Sequence, residues 1–194
     1  MLHKLGIVAA AATATVLAFA GPASAALIEG TNGPDNLRGT NNDDIIKAFA
    51  SADTAVGREG DDDIRMGTGA DWANGQDGWD EIQGQDGSDE LYGSDGNDYL
   101  YGQDNSDFAA GGNDADYVDG GRASDDLRGN GSGDYMVPGN GPDDVASGSG
   151  NDYVYNPAGG SADFVNCGDG NDTVDDGGTH IESIDTYVFC ENFV

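Results

Sequence analysis

The sequence predicts an all-β solenoid in which two short repeats make each coil and two parallel sheets enclose a thin core. Three observations carry this reading. An aspartate recurs every nine residues through most of the chain, an apolar side chain stands two residues after each one, and glycine is abundant throughout. With 33 Gly in 194 residues, long helices are disfavoured, because each Gly inside a helix costs roughly 1 kcal/mol relative to Ala. Leu, Ile, Val and Phe together supply only 33 residues, below the roughly 20% share that marks highly charged chains unable to build a conventional core. An ordinary globular enzyme does not fit these numbers.

The first element precedes the solenoid. His3 and Lys4 form a short basic start, residues 5–20 are almost wholly apolar, Gly21 and Pro22 interrupt the run, and Ala23-Ser24-Ala25 offers small residues for cleavage. This pattern reads as a secretory signal peptide over residues 1–25, and the absence of a twin-Arg pair points to the general secretion route. A secreted, extracellular mature chain beginning at Ala26 is expected. No later apolar stretch approaches the length of a membrane span, so membrane insertion is not expected.

The second element, residues 26–175, is the repeat region. Asp35, Asp44, Asp53, Asp62, Asp71, Asp80, Asp89, Asp98, Asp107, Asp116, Asp125, Asp134, Asp143 and Asp152 keep one register, and after a slip of two residues around Asn156 to Gly160 the phase resumes at Asp163 and Asp172. The apolar positions two residues later are Leu37, Ile46, Ala55, Ile64, Ala73, Ile82, Leu91, Leu100, Ala109, Val118, Leu127, Met136, Val145, Val154, Val165 and Val174. Gly or another turn-tolerant residue usually stands two residues before the aspartate, where positive φ is easiest for Gly and Asn. Each unit is thus six turn residues ending in Asp, then a three-residue strand with one inward side chain. One unit buries nothing alone, whereas stacked units do. About sixteen nonapeptide repeats, two per coil, give a stack roughly 35 to 40 Å long at about 4.8 Å per coil.

The copies GQDGWDEIQ, GQDGSDELY and GSDGNDYLY, residues 75–101, resemble the glycine- and aspartate-rich nonapeptides of the RTX, or haemolysin-type, calcium-binding repeat family. The resemblance spans Gly30 to Asp175. It implies a parallel β-roll with calcium ions held in the turns on both edges, the turn aspartates giving carboxylates and the backbone giving carbonyls. Many members of that family leave the cell through a dedicated exporter that reads a C-terminal signal, whereas this chain carries an N-terminal one.

The charge points the same way without the family. Thirty-seven acidic against 7 basic residues give −30 at pH 7, which repels nucleic acid and anionic lipid and leaves cations as the natural partners. Calcium takes six to eight oxygens, and the chain offers carboxylates and loop carbonyls in excess. Zinc lacks ligands, since only His180 and two distant Cys remain in the mature chain. Equivalent carboxylates about 5 Å apart along a stack repel by about 0.8 kcal/mol even in water, a cost that intervening divalent ions reverse. No loop has the flanking helices or the ligand run of an EF-hand.

The expected metal ligands are the turn aspartates Asp35, Asp44, Asp62, Asp71, Asp80, Asp89, Asp98, Asp107, Asp116, Asp134, Asp143, Asp152, Asp163 and Asp172. Acidic residues also occupy the third turn position as Asp77, Asp86, Asp95, Asp104 and Asp169, and those turns are expected to bind most tightly. The copy AFASAD, residues 48–53, lacks the turn glycines, and GGRASD, residues 120–125, carries Arg122, so the turns of Asp53 and Asp125 are expected to be weak or empty.

The third element, residues 176–194, is read as a capping segment. Cys167 and Cys190 are the only cysteines, and an even count in a secreted chain most often pairs. Their disulfide would fasten a tail whose Tyr187, Val188, Phe189 and Phe193 can cover the open end of the core. The ending VNCGDGNDTV with DTYVFCENF resembles the tails of secreted actinobacterial proteins of this repeat class. At the other end only Leu27 and Ile28 serve as a cap.

On the outer faces, Tyr99, Tyr117, Tyr135 and Tyr153 recur every eighteen residues and are expected to stack as a ladder. Cross-strand packing is the simpler use of such a ladder, and an extracellular glycan or surface is the alternative partner. The equivalent residues of the other sheet, Trp72, Glu90, Phe108, Asp126, Asp144 and Phe164, are too mixed for a uniform face. No catalytic constellation emerges, because a Ser-His-Asp arrangement would need His180, which has no nucleophile signature nearby.

Overall fold

The computed structural model describes residues 25–157, 162–177 and 185–194, with the backbone of the short strands His3–Lys4 and Ala14–Leu17. Among the described residues the chain is an all-β roll of two eleven-stranded sheets without a helix. Successive strands alternate between the sheets. Glu81–Asp86 in one is followed by Glu90–Asp95 in the other, and Tyr99–Asp104 then returns beside the first. In-sheet neighbours are parallel and eighteen residues apart, as with Tyr99 opposite Tyr117 and Leu100 opposite Val118.

The strands of the central coils run six residues, not the three that the nonapeptide pattern predicts. Glu81–Asp86 stays paired through Gln85 and Asp86, opposite Gln103 and Asp104. The first half of each turn therefore belongs to the ladder. Stacking explains this, because each coil repeats the backbone conformation of its neighbour, so even residues of positive φ find partners for their N–H and C=O groups. Gly60 N donates to Asp77 O at 2.9 Å and Gly78 N to Asp95 O at 2.9 Å in this way.

All sixteen predicted inward residues, from Leu37 to Val174, are fully buried. A second inward position, two residues further on in each strand, escapes the apolar pattern because glycine usually fills it. Where it is not glycine, as at Ala48, Met66 and Cys167, the side chain joins the core with no exposed surface.

The two-residue slip lengthens one coil on each side, pairing Asp144 with Phe164 and Tyr153 with Thr173. Residues 158–161, within the slip, lie outside the described residues. Ala26–Glu29 and Asp35–Arg38 begin the repeat stack, with Ile28 buried. The backbones of His3–Lys4 and Ala14–Leu17 pair in parallel onto them, and the rest of the segment read as a signal peptide lies outside the described residues.

Cys167 and Cys190 are joined in a disulfide, with Cα atoms 5.2 Å apart. The tail does more than lie over the end. Thr186–Val188 pairs with Phe164–Asn166, and Asn192–Phe193 pairs with Thr173 and Val174, so both sheets continue into it. The expected apolar lid is only partly realised. Tyr187 and Cys190 pack on the core, but Phe189, Phe193 and Val194 are 73%, 45% and 60% exposed. Phe189 sits at a tight corner with φ 56°, and among the described residues no strand pairs beyond Phe193, which lies opposite inward Val174.

Outside the core, Tyr117 stacks on Tyr135 at 5.4 Å and 13°, and Tyr135 on Tyr153 at 5.0 Å and 20°, which is the expected ladder. The other face is not as mixed as its single column implied. Tyr92, two residues beyond that column, bridges Trp72 and Phe108 with centroids 5.9 and 5.5 Å away, and Arg128 lies 5.1 Å over Phe108. Diagonal neighbours on adjacent strands meet, and a reading of one column misses them.

Because the core is one side chain thick, truncating a central member should be costly. Leu100→Ala is expected to lower stability in calcium by about 2 to 5 kcal/mol, whereas Tyr135→Ala should lose about 0.5 to 1.5 kcal/mol. Denaturant titration of both variants measures the ordering.

Candidate metal centres in the turns

From Phe49 onward most turns are shaped by two residues in the left-handed region, whereas the turns of Asp35 and Asp44 have none. In residues 75–80 these are Gln76 at φ 84° and Gly78 at φ 145°, and they swing the chain so that Asp80 points into the turn. Gly75 is required for a different reason. A Cβ there would lie 1.9 Å from Asp80 Oδ2, so the glycine leaves room for the carboxylate. The sequence reading found the positive-φ glycine before the aspartate but missed both this space-making position and the positive φ at Gln76, Gln85 and Gln103.

The turn aspartates form two columns. Asp62 N donates to Asp80 Oδ1 at 2.8 Å, Asp80 N to Asp98 Oδ1 at 2.9 Å, and Asp98 N to Asp116 Oδ1 at 2.9 Å. The second column runs likewise, with Asp71 N to Asp89 Oδ1 at 2.9 Å and Asp89 N to Asp107 Oδ1 at 2.8 Å. From Asp44 onward one oxygen of each turn carboxylate thus receives a backbone N–H of the preceding coil. The other is buried, and in thirteen of these aspartates Oδ2 has no hydrogen-bond partner.

Burial pushes these carboxyls up from 3.8, to about 8 for Asp62 and Asp107 and about 7 for Asp80, Asp98, Asp116 and Asp134. The column hydrogen bond opposes the shift, and neighbouring carboxylates of the same column reinforce it. A column of half-desolvated anions with one bare oxygen apiece calls for positive charge.

The donors fit calcium. At Gly57 the position of a Cβ would lie 2.1 Å from Asp62 Oδ2 and 2.7 Å from Gly75 O, so a carboxylate oxygen and a carbonyl of the next coil approach the same point. The same convergence joins Asp98 Oδ2 with Gly111 O beside Gly93. Among the described residues no three His, Cys, Asp or Glu side chains converge, so an ion in a turn takes part of its shell from backbone carbonyls. An all-oxygen set of this kind suits a large hard cation.

The copies differ in ways the sequence did not show. Asp44 has donors on both oxygens, from Ala26 N at 2.6 Å and Thr40 N at 2.5 Å, and Asp35 Oδ2 receives Thr31 N at 2.5 Å. Asp44 is thus satisfied on both oxygens and needs added charge less than the rest, whereas Asp35 keeps a buried Oδ1 without a donor. Asp53 and Asp125, expected to be weak, hold the same posture as the others. Their Oδ1 atoms accept Asp35 N at 2.7 Å and Asp107 N at 2.9 Å, and their Oδ2 atoms are buried without a donor. What sets the first apart is backbone cost, since Phe49 and Ser51 both adopt φ 83°. Arg122 leaves its own turn and pairs with Asp104 at 2.9 Å.

The third-position carboxylates lie on the outer side of the turns. Asp77, Asp86, Asp95 and Asp169 are exposed, and Asp95 accepts Asn113 Nδ2 at 2.6 Å. They are near enough to act on the turn carboxyls, as Asp95 does on Asp98 and Asp104 on Asp107. Asp71, Asp143, Asp152 and Asp172 share the column posture with Met66, Pro138, Ser147 and Cys167 in place of the space-making glycine. Ser147 Oγ there donates to Cys167 O at 2.9 Å. Asp163 takes its place in the column by accepting Asp143 N at 2.9 Å. His180, the residue on which a hydrolytic triad would depend, lies outside the described residues.

The profile of the RTX calcium-binding nonapeptide repeat (4 copies) matches residues 29–64, 57–91, 74–109, 101–136 and 137–174. The chain belongs to this family. The RTX repeats bind Ca2+ at multiple sites, and here they form a parallel β-roll with a structural calcium-binding role. No curated protein matches the chain.

The raised carboxyls have a consequence for the metal-free RTX roll. Their folded pKa values of about 6 to 8 lie above the unfolded 3.8, so protonation favours the fold. That contribution is complete below about pH 4 and is lost as pH rises through 6 to 8. In excess chelator the β signal of the mature chain should grow on acidification from pH 8 to 5. Circular dichroism checks this, and a signal that falls over that range contradicts it.

Proposed function

We propose that this RTX protein is secreted and that its roll folds on binding calcium, serving as an extracellular structural or interaction element and not as an enzyme. The single observation that supports this is the row of thirteen buried, donorless aspartate oxygens. Without cations each is a desolvated partial charge in a stack whose core is one residue thick, so metal binding supplies folding free energy. The disulfide and the signal-like N-terminus support an oxidising destination.

A second reading, adhesion to an extracellular glycan or surface, is favoured by one feature. A groove of about 530 Å³ runs along the tyrosine ladder, and Trp79 stands at it 63% exposed. The rings of Tyr117, Tyr135 and Tyr153 cover one another, so free aromatic faces concentrate at Trp79 and Tyr99. A glycan array with the parent and Trp79→Ala tests it, and signal that depends on Trp79 is the expected outcome of this reading.

For the main reading, the mature chain should pass from coil to β as calcium rises through roughly 10⁻⁴ to 10⁻³ M, and magnesium should substitute poorly. Asp98→Asn, which keeps the shape but removes charge from a donorless site, should raise the calcium midpoint. A full β spectrum at pH 8 in excess chelator would refute calcium-driven folding.

A further inference from the structure

The tail beyond the RTX match continues both aspartate columns. Asp163 N donates to Asp185 Oδ1 at 3.0 Å and Asp172 N to Glu191 Oε2 at 3.1 Å. The residues that follow return the second bond of the pattern, Thr186 N to Asp163 O at 2.7 Å and Asn192 N to Asp172 O at 3.0 Å. This is the bonding of the repeats, as in Asp134 N to Asp152 Oδ1 at 2.9 Å and Tyr153 N to Asp134 O at 2.8 Å. Asp185 and Glu191 therefore stand where turn aspartates would, although six residues separate them instead of nine and no glycine-rich turn announces them.

The two column ends are finished differently. At the first, Asp185 Oδ2 receives the Tyr187 hydroxyl at 3.3 Å, and Asn156 Nδ2 donates to that hydroxyl at 3.1 Å. Neutral donors close it. At the second, Asp172 is fully buried and its Oδ2 has no donor, while the Asn192 side chain donates to Asp172 O and to Asn171 Oδ1 and not to the carboxylate. The charges of Glu191 and Asp169 both act on the Asp172 carboxyl. The bare, buried oxygen thus belongs to a residue whose own N–H binds the Glu191 carboxylate, with Asp169 near enough to add its charge, and Glu191 directly follows Cys190 of the disulfide.

We propose that Glu191 completes a terminal calcium site with Asp172, so that a cation, together with the Cys167–Cys190 bridge, locks the tail onto the last repeat coil. Asp169 adds charge from the outer side of the turn, and backbone carbonyls supply the remaining oxygens. The site makes the end of the roll calcium-dependent in a way that the Asp185 end is not. This inference rests on the reading of the roll as calcium-loaded.

Glu191→Gln keeps the acceptor for Asp172 N and removes the charge, and Asp185→Asn does the same at the other end. Calcium stoichiometry by isothermal titration and the rate of disulfide reduction by a phosphine at saturating calcium are measured for the parent and both variants, with circular dichroism confirming that each retains the roll. Glu191→Gln should bind one ion fewer and be reduced about tenfold faster, because loss of the ion frees the tail to open locally, while Asp185→Asn matches the parent. Parent-like stoichiometry and reduction rate in Glu191→Gln overturn the inference alone if the parent folds with calcium. A parent that takes up no calcium overturns it together with the reading on which it rests.

Discussion

The structure depends on a carboxylate held between two coils with one oxygen satisfied and one bare. From Asp44 onward each turn aspartate reaches back to an N–H eighteen residues earlier, or twenty after the slip, and this bond sets the height and register of successive coils. The same reach buries the second oxygen. A neutral side chain of the same shape could stack the coils equally well, so the charge serves something other than the ladder. A bare, buried carboxylate oxygen of this kind suits a cation, which is the chemistry of the repeat family to which the chain belongs.

Around that constraint, the backbone behaves as a one-dimensional stack. Positive φ at Gln76, Gln85 and Gln103 is costly for each residue alone, yet every such residue rests against a neighbour in the same conformation and keeps its ladder bonds. Irregular copies survive by the same logic. Phe49 and Ser51 follow the geometry of the next coil, where Gly67 and Gly69 also have positive φ, and Asp53 keeps its place although its turn lacks the expected glycines. Stability is thus shared among coils, while the electrostatic demand is local to each turn.

The two ends show how the stack stops. At the start, Thr31 and Thr40 donate to Asp35 and Asp44 from within their own turns, which together with Ala26 N leaves no bare oxygen on Asp44 but still one on Asp35. At the finish, Asp185 and Glu191 accept the N–H groups of Asp163 and Asp172 as turn aspartates do, and a disulfide ties the tail to the last coil. The acidic outer residues and the self-packed aromatics, including the Trp72, Tyr92 and Phe108 chain, complete faces that the thin core cannot cover.

The sequence by itself determined the period, the coil of eighteen residues, the sixteen inward side chains and the family's oxygen chemistry, because all of these follow from which residue recurs at which interval. It also determined the cysteine pairing, since only two cysteines exist. The tertiary structure alone decided which carboxylates are left bare. Whether Asp44 or Asp98 has a free oxygen depends on donors from other coils and from Thr40, not on the aspartate's own motif. Only stacking revealed that a glycine five residues before the aspartate makes room for it, and that Asp185 and Glu191 extend the columns. The contacts of Asp185 and Glu191 join residues 22 and 19 positions apart, where a nine-residue pattern carries no information about a single irregular neighbour.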